Sequence, residues 1–158
     1  MALESVVEMM RETHLFSHLS DEPLRLIAFG GERISRRAGA RLFTEGAPAF
    51  TGYMVVEGTV ELKINNAVVA VAESGDMIGE LALICETSRP ATAVMRTDGV
   101  LLEIPRLVMR RVLEEYPQVA HVVRRTLATR LAAISGELQA VRTNLLAFDG
   151  TAASDSTG

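Results

Sequence analysis

The residues best suited to chemistry lie between positions 79 and 93 of this 158-residue chain. Gly79 and Glu80 begin the segment Gly79–Ile84, which has the composition of a short helix. Arg89 follows after a gap and stands alone among small uncharged residues in Arg89–Ala93. Backbone N–H groups at the start of a helix attract a phosphate, a guanidinium binds one with a fixed fork of donors, and a carboxylate accepts from a hydroxyl. This combination suits a small ligand that carries a phosphate and a sugar hydroxyl.

The order of these parts resembles the phosphate-binding cassette of the cyclic nucleotide-binding domain family, which includes bacterial catabolite activators, protein kinase A regulatory subunits and cyclic nucleotide-gated channels. The flanking sequence is similar to that family from about position 15 to about position 145. The similar segments are Leu15–Asp21 at the start of the domain, Arg41–Gly46 and Tyr53–Gly58 in its first strands, and Gly75–Asp76 just before the cassette. The resemblance implies an α+β fold, an antiparallel β-barrel or jelly roll flanked by N-terminal helices and a long C-terminal helix.

The resemblance also implies a role for each cassette residue. Gly79 would let the backbone approach the ligand, and Glu80 would accept a hydrogen bond from the ribose 2′-hydroxyl. Leu81 and Ala82 would present backbone N–H groups to the phosphate, and Arg89 would neutralise it. Without the family pattern, Gly79 is equally an ordinary turn glycine, Glu80 a solvated acid in a first helical turn, and Arg89 one half of a surface ion pair.

Pro90 departs from the family pattern, and Ala91 follows it in the same ligand-binding segment. In the family, the residue after the arginine commonly donates its backbone N–H to the phosphate and often adds a hydroxyl. Proline has neither donor. Members that prefer cyclic GMP often have Thr or Ser at this position, so Pro90 favours cyclic AMP as the regulatory ligand, with cyclic GMP as the alternative. No other cofactor is implied.

The remaining ligand contacts implied by the resemblance come from a hairpin and from the long helix. Leu62, Val69 and Ala70 would line the sugar and base side of the pocket, although on pattern alone they are core residues. Ile134 and Ser135 fall where catabolite activators reach the purine from the long helix, and Ser135 could hydrogen-bond an adenine amine.

The hydrophobic periodicity outlines the elements that position these residues. It predicts a helix from Leu3 to about Phe16 and a second from Pro23 to Phe29. Short strands follow, and the clearest hairpin runs from Thr59 to Ala72 around an Asn-Asn turn. After them, a helix is predicted from Pro105 to about Tyr116. Close spacing of short strands is typical of an all-β barrel or sandwich.

A long helix is predicted at the C-terminal end of the domain. Its apolar positions recur at spacings of three and four, as in a coiled-coil seam: Leu127, Leu131, Ile134, Leu138, Val141 and Leu145. The pattern favours a homodimer through this helix, and the alternative is packing against the barrel of the same chain. We therefore predict one domain over residues 1–146, followed by a disordered tail at 147–158.

Composition restricts the function further. The net charge of −4 and an aromatic content of 4% give nucleic-acid binding no support. No apolar run approaches the roughly 20 residues that span a bilayer, so no membrane association is expected and a cytoplasmic location is the default. Cys85 is the single cysteine and is predicted to be a small core residue. The three histidines lack metal-like spacing with it or with one another, and no enzyme constellation emerges.

These observations favour a cyclic nucleotide sensor whose terminal helices rearrange on binding, without direct DNA binding, and which signals to a protein effector that the sequence does not identify. One alternative is a degenerate domain that no longer binds nucleotide and serves as a dimerisation or docking module. Another is a transcription regulator whose DNA-binding part has been lost or removed. The sequence does not decide whether the chain is a fragment of a larger protein.

Overall fold

Along the chain, two helices come first, strands follow, and helices return after the last strand. The structure is a computed structural model that describes residues 3–126 and 128–129. The helices are α1 (Leu3–Arg11), α2 (Asp21–Gly30), a 3₁₀ helix that we call the short helix (Glu80–Leu83), and α3 (Arg106–Glu115), with further helical residues at 117–126 and 128–129. The strands are β1 (Glu32–Arg36), β2 (Arg41–Phe43), β3 (Pro48–Ala49), β4 (Thr51–Glu57), β5 (Val60–Ile64), β6 (Ala67–Ala72), β7 (Met77–Ile78), β8 (Thr87–Ser88), β9 (Thr92–Met95) and β10 (Gly99–Pro105).

The strands form three antiparallel sheets. Two have four strands, in the orders β1-β10-β4-β7 and β2-β9-β5-β6, and the third joins β3 to β8. The α+β class and the jelly-roll form of the prediction are therefore confirmed. The described strands form a roll of separate sheets rather than one closed barrel.

The core lies between the two four-stranded sheets. Alternate residues of their strands point inward, because successive side chains on a strand face opposite sides. The buried inward residues are Tyr53, Val55, Val60, Ala72, Ile78, Ala93, Met95 and Leu101. The partly buried Leu42, Phe43 and Leu62 pack against this cluster.

The predicted hairpin is confirmed. β5 and β6 pair antiparallel, and the two residues between them, Asn65 and Asn66, have φ values of 51° and 66°. Positive φ at both positions is the type I′ geometry, whose twist matches that of the flanking strands. Asparagine adopts this conformation more readily than most residues, which explains why the sequence marks the turn clearly.

Of the helices predicted at positions 3–16, 23–29 and 105–116, the last two match closely, and the first is shorter than predicted. α2 starts after Ser20, and α3 starts after Pro105. α1 ends at Arg11 rather than near Phe16. The reason is Thr13, whose hydroxyl donates to the Met10 carbonyl at 2.7 Å and accepts from the Phe16 N–H at 3.3 Å. These local bonds replace the helical pattern.

The helices form a layer beside β10. α1 packs on α2, and α2 packs on both β10 and α3. Fully buried apolar side chains join them: Val7, Met10, Leu24, Ile27, Met109 and Val112. The short helix lies against β4 and α3, so it connects the sheet to the helical layer.

The first of two compact units covers Met1–Val123, and the described residues of the second, 124–126 and 128–129, are helical. The six predicted coiled-coil positions, the predicted pocket residues Ile134 and Ser135, and the tail at 147–158 lie outside the described residues. The predicted domain limits stay a prediction. Across the part of the chain that the structure describes, we find no helix of the length and apolarity needed to cross a membrane.

Candidate functional site

Arg89 is held in place through its backbone. Its N–H donates to the Ala47 carbonyl at 2.8 Å, and its own carbonyl accepts from the Gly46 N–H at 2.8 Å. Just before it, β8 pairs with β3, so Pro48 lies opposite Ser88. The residue is thereby fixed on both sides of its Cα, and the direction of its side chain is set by the β3–β8 ribbon.

The side chain of Arg89 turns inward and is only 5% exposed. Nη1 donates to the Thr51 carbonyl at 2.8 Å, and Nη2 donates to the Thr51 hydroxyl at 3.0 Å. The guanidinium carbon lies 4.2 Å from the ring centroid of Phe43 and 5.9 Å from that of Tyr53. The cation is therefore supported by two aromatic rings and oriented by one threonine.

The donors of Arg89 are only partly used. A guanidinium has five N–H groups, and Nε is buried without a hydrogen-bond partner among the described residues. Burial lowers the pKa of Arg89 below its ordinary value, and Arg106 acts in the same direction, while Tyr53 and Glu103 oppose it. A buried cation with an unmet donor is stabilised by an anion placed beside it.

Gly79 brings the short helix close to this cation. Its φ is +67°, a left-handed conformation that glycine adopts without strain, and it directly precedes the helix. A Cβ atom at this position would lie 2.5 Å from Nη1 of Arg89. The sequence therefore needs glycine here for two reasons, the backbone conformation and the space taken by the guanidinium.

The short helix has a tight hydrogen-bond pattern. The Ala82 N–H donates to the Gly79 carbonyl at 3.2 Å, and the N–H groups of Ile84 and Cys85 both donate to the Leu81 carbonyl at 3.2 Å. Ala82 and Leu83 are buried, whereas Glu80 and Leu81 are half-buried. The Ala82 N–H, predicted to face a phosphate, is occupied by this turn in the structure.

The other predicted pocket residues divide between two environments. Leu62 is half-buried and pairs across strands with both Ala70 and Ala93. Val69 and Ala70 are exposed on β6, the last strand of its sheet, so their pattern-based interpretation as core residues is wrong. The reason is that β6 lacks a neighbour on one side within the described strands.

Pro90 and Ala91 lie between β8 and β9. Pro90 is exposed and Ala91 is 7% exposed. The prediction for Cys85 as a core residue is also wrong, because the cysteine is exposed just after the short helix. Its thiol donates to the Leu81 carbonyl at 3.5 Å. The apolar residues that precede Cys85 in the sequence were therefore not a reliable sign that its side chain is buried.

Several residues of the site were not predicted. Thr51, Phe43 and Tyr53 surround the Arg89 guanidinium, and Arg106 contacts the short helix. The available signal in the sequence was the scarcity of aromatic residues, which makes Phe43 and Tyr53 stand out. In the structure both residues lie at inward positions of their strands, and their ring centroids are 5.9 Å apart. Among the described residues, no group of three or more His, Cys, Asp or Glu side chains is placed to hold a metal ion.

Comparison with known proteins identifies the family that this chain resembles. The family model described as "Cyclic nucleotide-binding domain" matches residues 33–116, which include all of the strands from β2 to β10. By sequence, the chain is similar to the Pycsar effector protein XpPycTIR of Xanthomonas perforans, with 31% identity over 129 residues that cover 80% of this chain and 42% of that protein. The chain spans less than half the length of the curated relatives that it matches.

Two solved structures are each similar to about 70% of this chain. One is a cyclic nucleotide-binding-like protein from Brucella abortus, with a TM-score of 0.64 and 35% identity over 70% of this chain and 98% of that one. The other is the regulatory domain of Toxoplasma gondii PKA in a co-crystal with cAMP. Its TM-score is 0.66, and its identity is 27% over 70% of this chain and 44% of that one.

Proposed function

Because this chain belongs to the cyclic nucleotide-binding domain family, we propose that it is a cyclic nucleotide sensor that binds its ligand between the short helix and Arg89. The observation that carries the proposal is the buried Arg89 guanidinium, whose Nε has no hydrogen-bond partner among the described residues. A buried cation with an unmet donor is costly for the ligand-free protein. A cyclic phosphate would supply both the missing acceptor and the missing charge.

In this proposal the cassette residues divide the ligand between them. Arg89 binds the phosphate, and Glu80, in the first position of the short helix, accepts from the ribose 2′-hydroxyl. Gly79 leaves room for both. The N–H groups of Leu81 and Ala82 serve the phosphate, and for Ala82 this requires that its 3.2 Å bond to the Gly79 carbonyl be given up. Ligand binding is then coupled to a rearrangement of the short helix.

The sugar and base lie on the other side of the pocket in this proposal. Leu62, Val69 and Ala70 contact them from the β5–β6 hairpin, and the exposure of Val69 and Ala70 leaves these side chains accessible to a ligand. Ala91 closes the floor beside Arg89. The family resemblance adds Ile134 and Ser135, which lie outside the described residues, as contacts to the base.

We propose cyclic AMP over cyclic GMP. Pro90 has no hydroxyl and no N–H to offer to a guanine or to the phosphate, and the similar Toxoplasma gondii domain was crystallised with cAMP. We further propose a cytoplasmic homodimer that signals to a protein effector through its terminal helices, without DNA or membrane contact and without catalysis of its own. The ligand would shift the equilibrium between two arrangements of those helices only by as much as its affinities for the two arrangements differ.

A thermal-shift titration tests the proposal directly. Cyclic AMP at about one hundred times its Kd should stabilise the folded state by about 2.7 kcal/mol. For a domain of this size, that stabilisation raises the Tm by roughly 5–10 °C. Cyclic GMP should give a smaller shift at equal concentration, and linear 5′-AMP, which lacks the cyclic phosphate, should give little. No shift with either cyclic nucleotide would contradict the proposal.

A second candidate is a degenerate domain that acts in docking or dimerisation. The observation in its favour is Pro90, because the family's backbone donor is missing directly beside the buried arginine. The same titration separates the two candidates. Mass spectrometry of nucleotide released from the purified, denatured protein adds an independent answer, since a degenerate domain carries none.

A further inference from the structure

Arg106 contacts the short helix from α3. It is the first residue of α3 and is half-buried. Its Nε donates to the Ala82 carbonyl at 2.6 Å, and its Nη2 donates to the Ala49 carbonyl. Its backbone N–H donates to the Phe50 carbonyl at 2.9 Å. One residue of α3 therefore contacts the short helix, β3 and the residue that follows β3.

The Ala82 carbonyl depends on this contact. The N–H groups of Ile84 and Cys85 both donate to the Leu81 carbonyl, so Cys85, the 3₁₀ donor for the Ala82 carbonyl, is used elsewhere. The guanidinium of Arg106 supplies a donor in its place. Hydrogen bonds from a charged donor are about twice as strong as neutral ones, so this bond is well suited to fix the position of the short helix.

The second carbonyl extends the connection towards Arg89. Ala49 belongs to β3 and pairs with Thr87 of β8, the strand that leads into Arg89. Next to Ala49, the Phe50 ring centroid lies 5.8 Å from the guanidinium carbon of Arg106. Arg106 thus ties α3 to both components of the ligand site, the short helix and the strand pair that holds the arginine.

The position of Arg106 is not explained by α3 alone. A positive charge in the first turn of a helix is unfavourable, because the N-terminal end of the helix dipole is itself positive. A guanidinium there is explained by the carbonyl groups that it contacts outside the helix. The pKa of Arg89 is lowered in part by Arg106, so the two cations also influence each other electrostatically.

We propose that Arg106 is a positioning residue that fastens the short helix to the first turn of α3, so that movement of the short helix on ligand binding is transmitted to α3. The contact of Arg106 with the short helix does not involve the ligand. The transmission rests on the proposed function above.

Hydrogen exchange without nucleotide tests the fastening. In Arg106→Gln, the amides of Ile84 and Cys85 should exchange about tenfold faster than in wild type, because the short helix opens more often. Arg110→Gln is the matched control, an exposed arginine one turn further along α3. Unchanged exchange in Arg106→Gln would overturn the proposal.

Exchange with saturating cyclic AMP tests the transmission. In wild type and Arg110→Gln, we expect nucleotide to alter the exchange of residues 106–115. Arg106→Gln should still bind, with an affinity reduced by less than about tenfold, but the response of α3 should be lost. Arg106→Lys keeps the charge without the planar fork and should recover part of the α3 response. A full α3 response in Arg106→Gln would overturn the transmission.

The outcomes separate this inference from the proposed function. If wild type binds no cyclic nucleotide, the sensor proposal fails, and the experiment without nucleotide still decides whether Arg106 holds the short helix. If Arg106→Gln does not fold, Arg106→Lys replaces it. Faster exchange at Ile84 and Cys85 with an unchanged Tm would then support the fastening, and wild-type exchange would overturn it.

Discussion

Two arginines reach the cassette from different parts of the fold, and their donors are satisfied to different degrees. Arg89 comes from the β8–β9 connection, uses two nitrogens on Thr51, and keeps a buried Nε without a partner among the described residues. Arg106 comes from the first turn of α3, and its Nε and Nη2 both donate to backbone carbonyls. Arg89 therefore keeps a buried nitrogen without a partner, whereas Arg106 has no such nitrogen among the described residues.

This difference indicates which state of the protein each arginine serves. A buried donor without a partner costs stability in the ligand-free protein, and in the proposed function the ligand phosphate supplies the partner of Arg89. Arg106 already has its partners and contributes to the folded state itself. Substitutions at Arg89 should therefore affect ligand binding much more than ligand-free stability, whereas those at Arg106 should affect the local stability of the short helix first.

Arg89→Ala gives the largest expected effect. It should weaken cyclic AMP binding by roughly 3–5 kcal/mol, because the phosphate loses its partner inside the pocket. Isothermal titration calorimetry measures the difference. Arg96→Ala is the matched control, since Arg96 lies on the surface with its Nε 2.8 Å from Glu61. Equal affinity in wild type and Arg89→Ala would remove the role of Arg89 and the contrast with Arg106.

Gly79→Ala should come next, with an effect on both folding and binding. The left-handed conformation costs about 1–2 kcal/mol for any residue with a Cβ, and overpacking against Arg89 adds about 1–3 kcal/mol. Gly75→Ala separates the two terms, because Gly75 has φ +95° but nothing within 4 Å of its would-be Cβ.

Urea denaturation and calorimetry should be run on both glycine variants. We expect both to lose stability, Gly79→Ala more so, and only Gly79→Ala to lose affinity. If the two variants behave alike, the space beside Arg89 does not matter and only the backbone conformation does.

Pro90→Ala should move affinity and stability in opposite directions. Restoring a backbone N–H beside Arg89 should tighten binding by about 1–3 kcal/mol. Losing the proline should lower the free energy of unfolding by about 0.4–1 kcal/mol, because the unfolded chain gains freedom. Calorimetry and denaturation on one preparation measure both quantities. Weaker binding would mean that the backbone around Pro90 already meets the phosphate in another way.

How far the sequence could predict this site depends on the sequence distance between interacting residues. The Asn65-Asn66 turn and the start of α3 directly after Pro105 are local features, and the structure confirms them. The partner of Arg89 is 38 residues away at Thr51, and no periodicity relates the two positions. Such pairings arise only when β4 and β8 fold into one roll.

Arg106 illustrates a different limit. Arginine is frequent in this chain, so its residue type carried little information, and its role depends on carbonyl groups that any residue possesses. Cys85 was predicted to be buried because Leu83 and Ile84 precede it, yet the short helix ends before it and leaves it exposed. Backbone acceptors and helix ends are set by tertiary structure and cannot be inferred from side-chain patterns alone.

The smallest expected effect distinguishes the two contacts that Thr51 makes with Arg89. Thr51→Val removes the hydroxyl acceptor of Nη2 and leaves the carbonyl acceptor of Nη1 in place. Valine keeps the β-branched shape that suits a strand, so β4 should be preserved. We expect about 1 kcal/mol weaker cyclic AMP binding, and Thr51→Ser, which retains the hydroxyl, should bind like wild type. If calorimetry finds all three proteins equal, the carbonyl alone orients Arg89, and the side chain at position 51 is then free to vary.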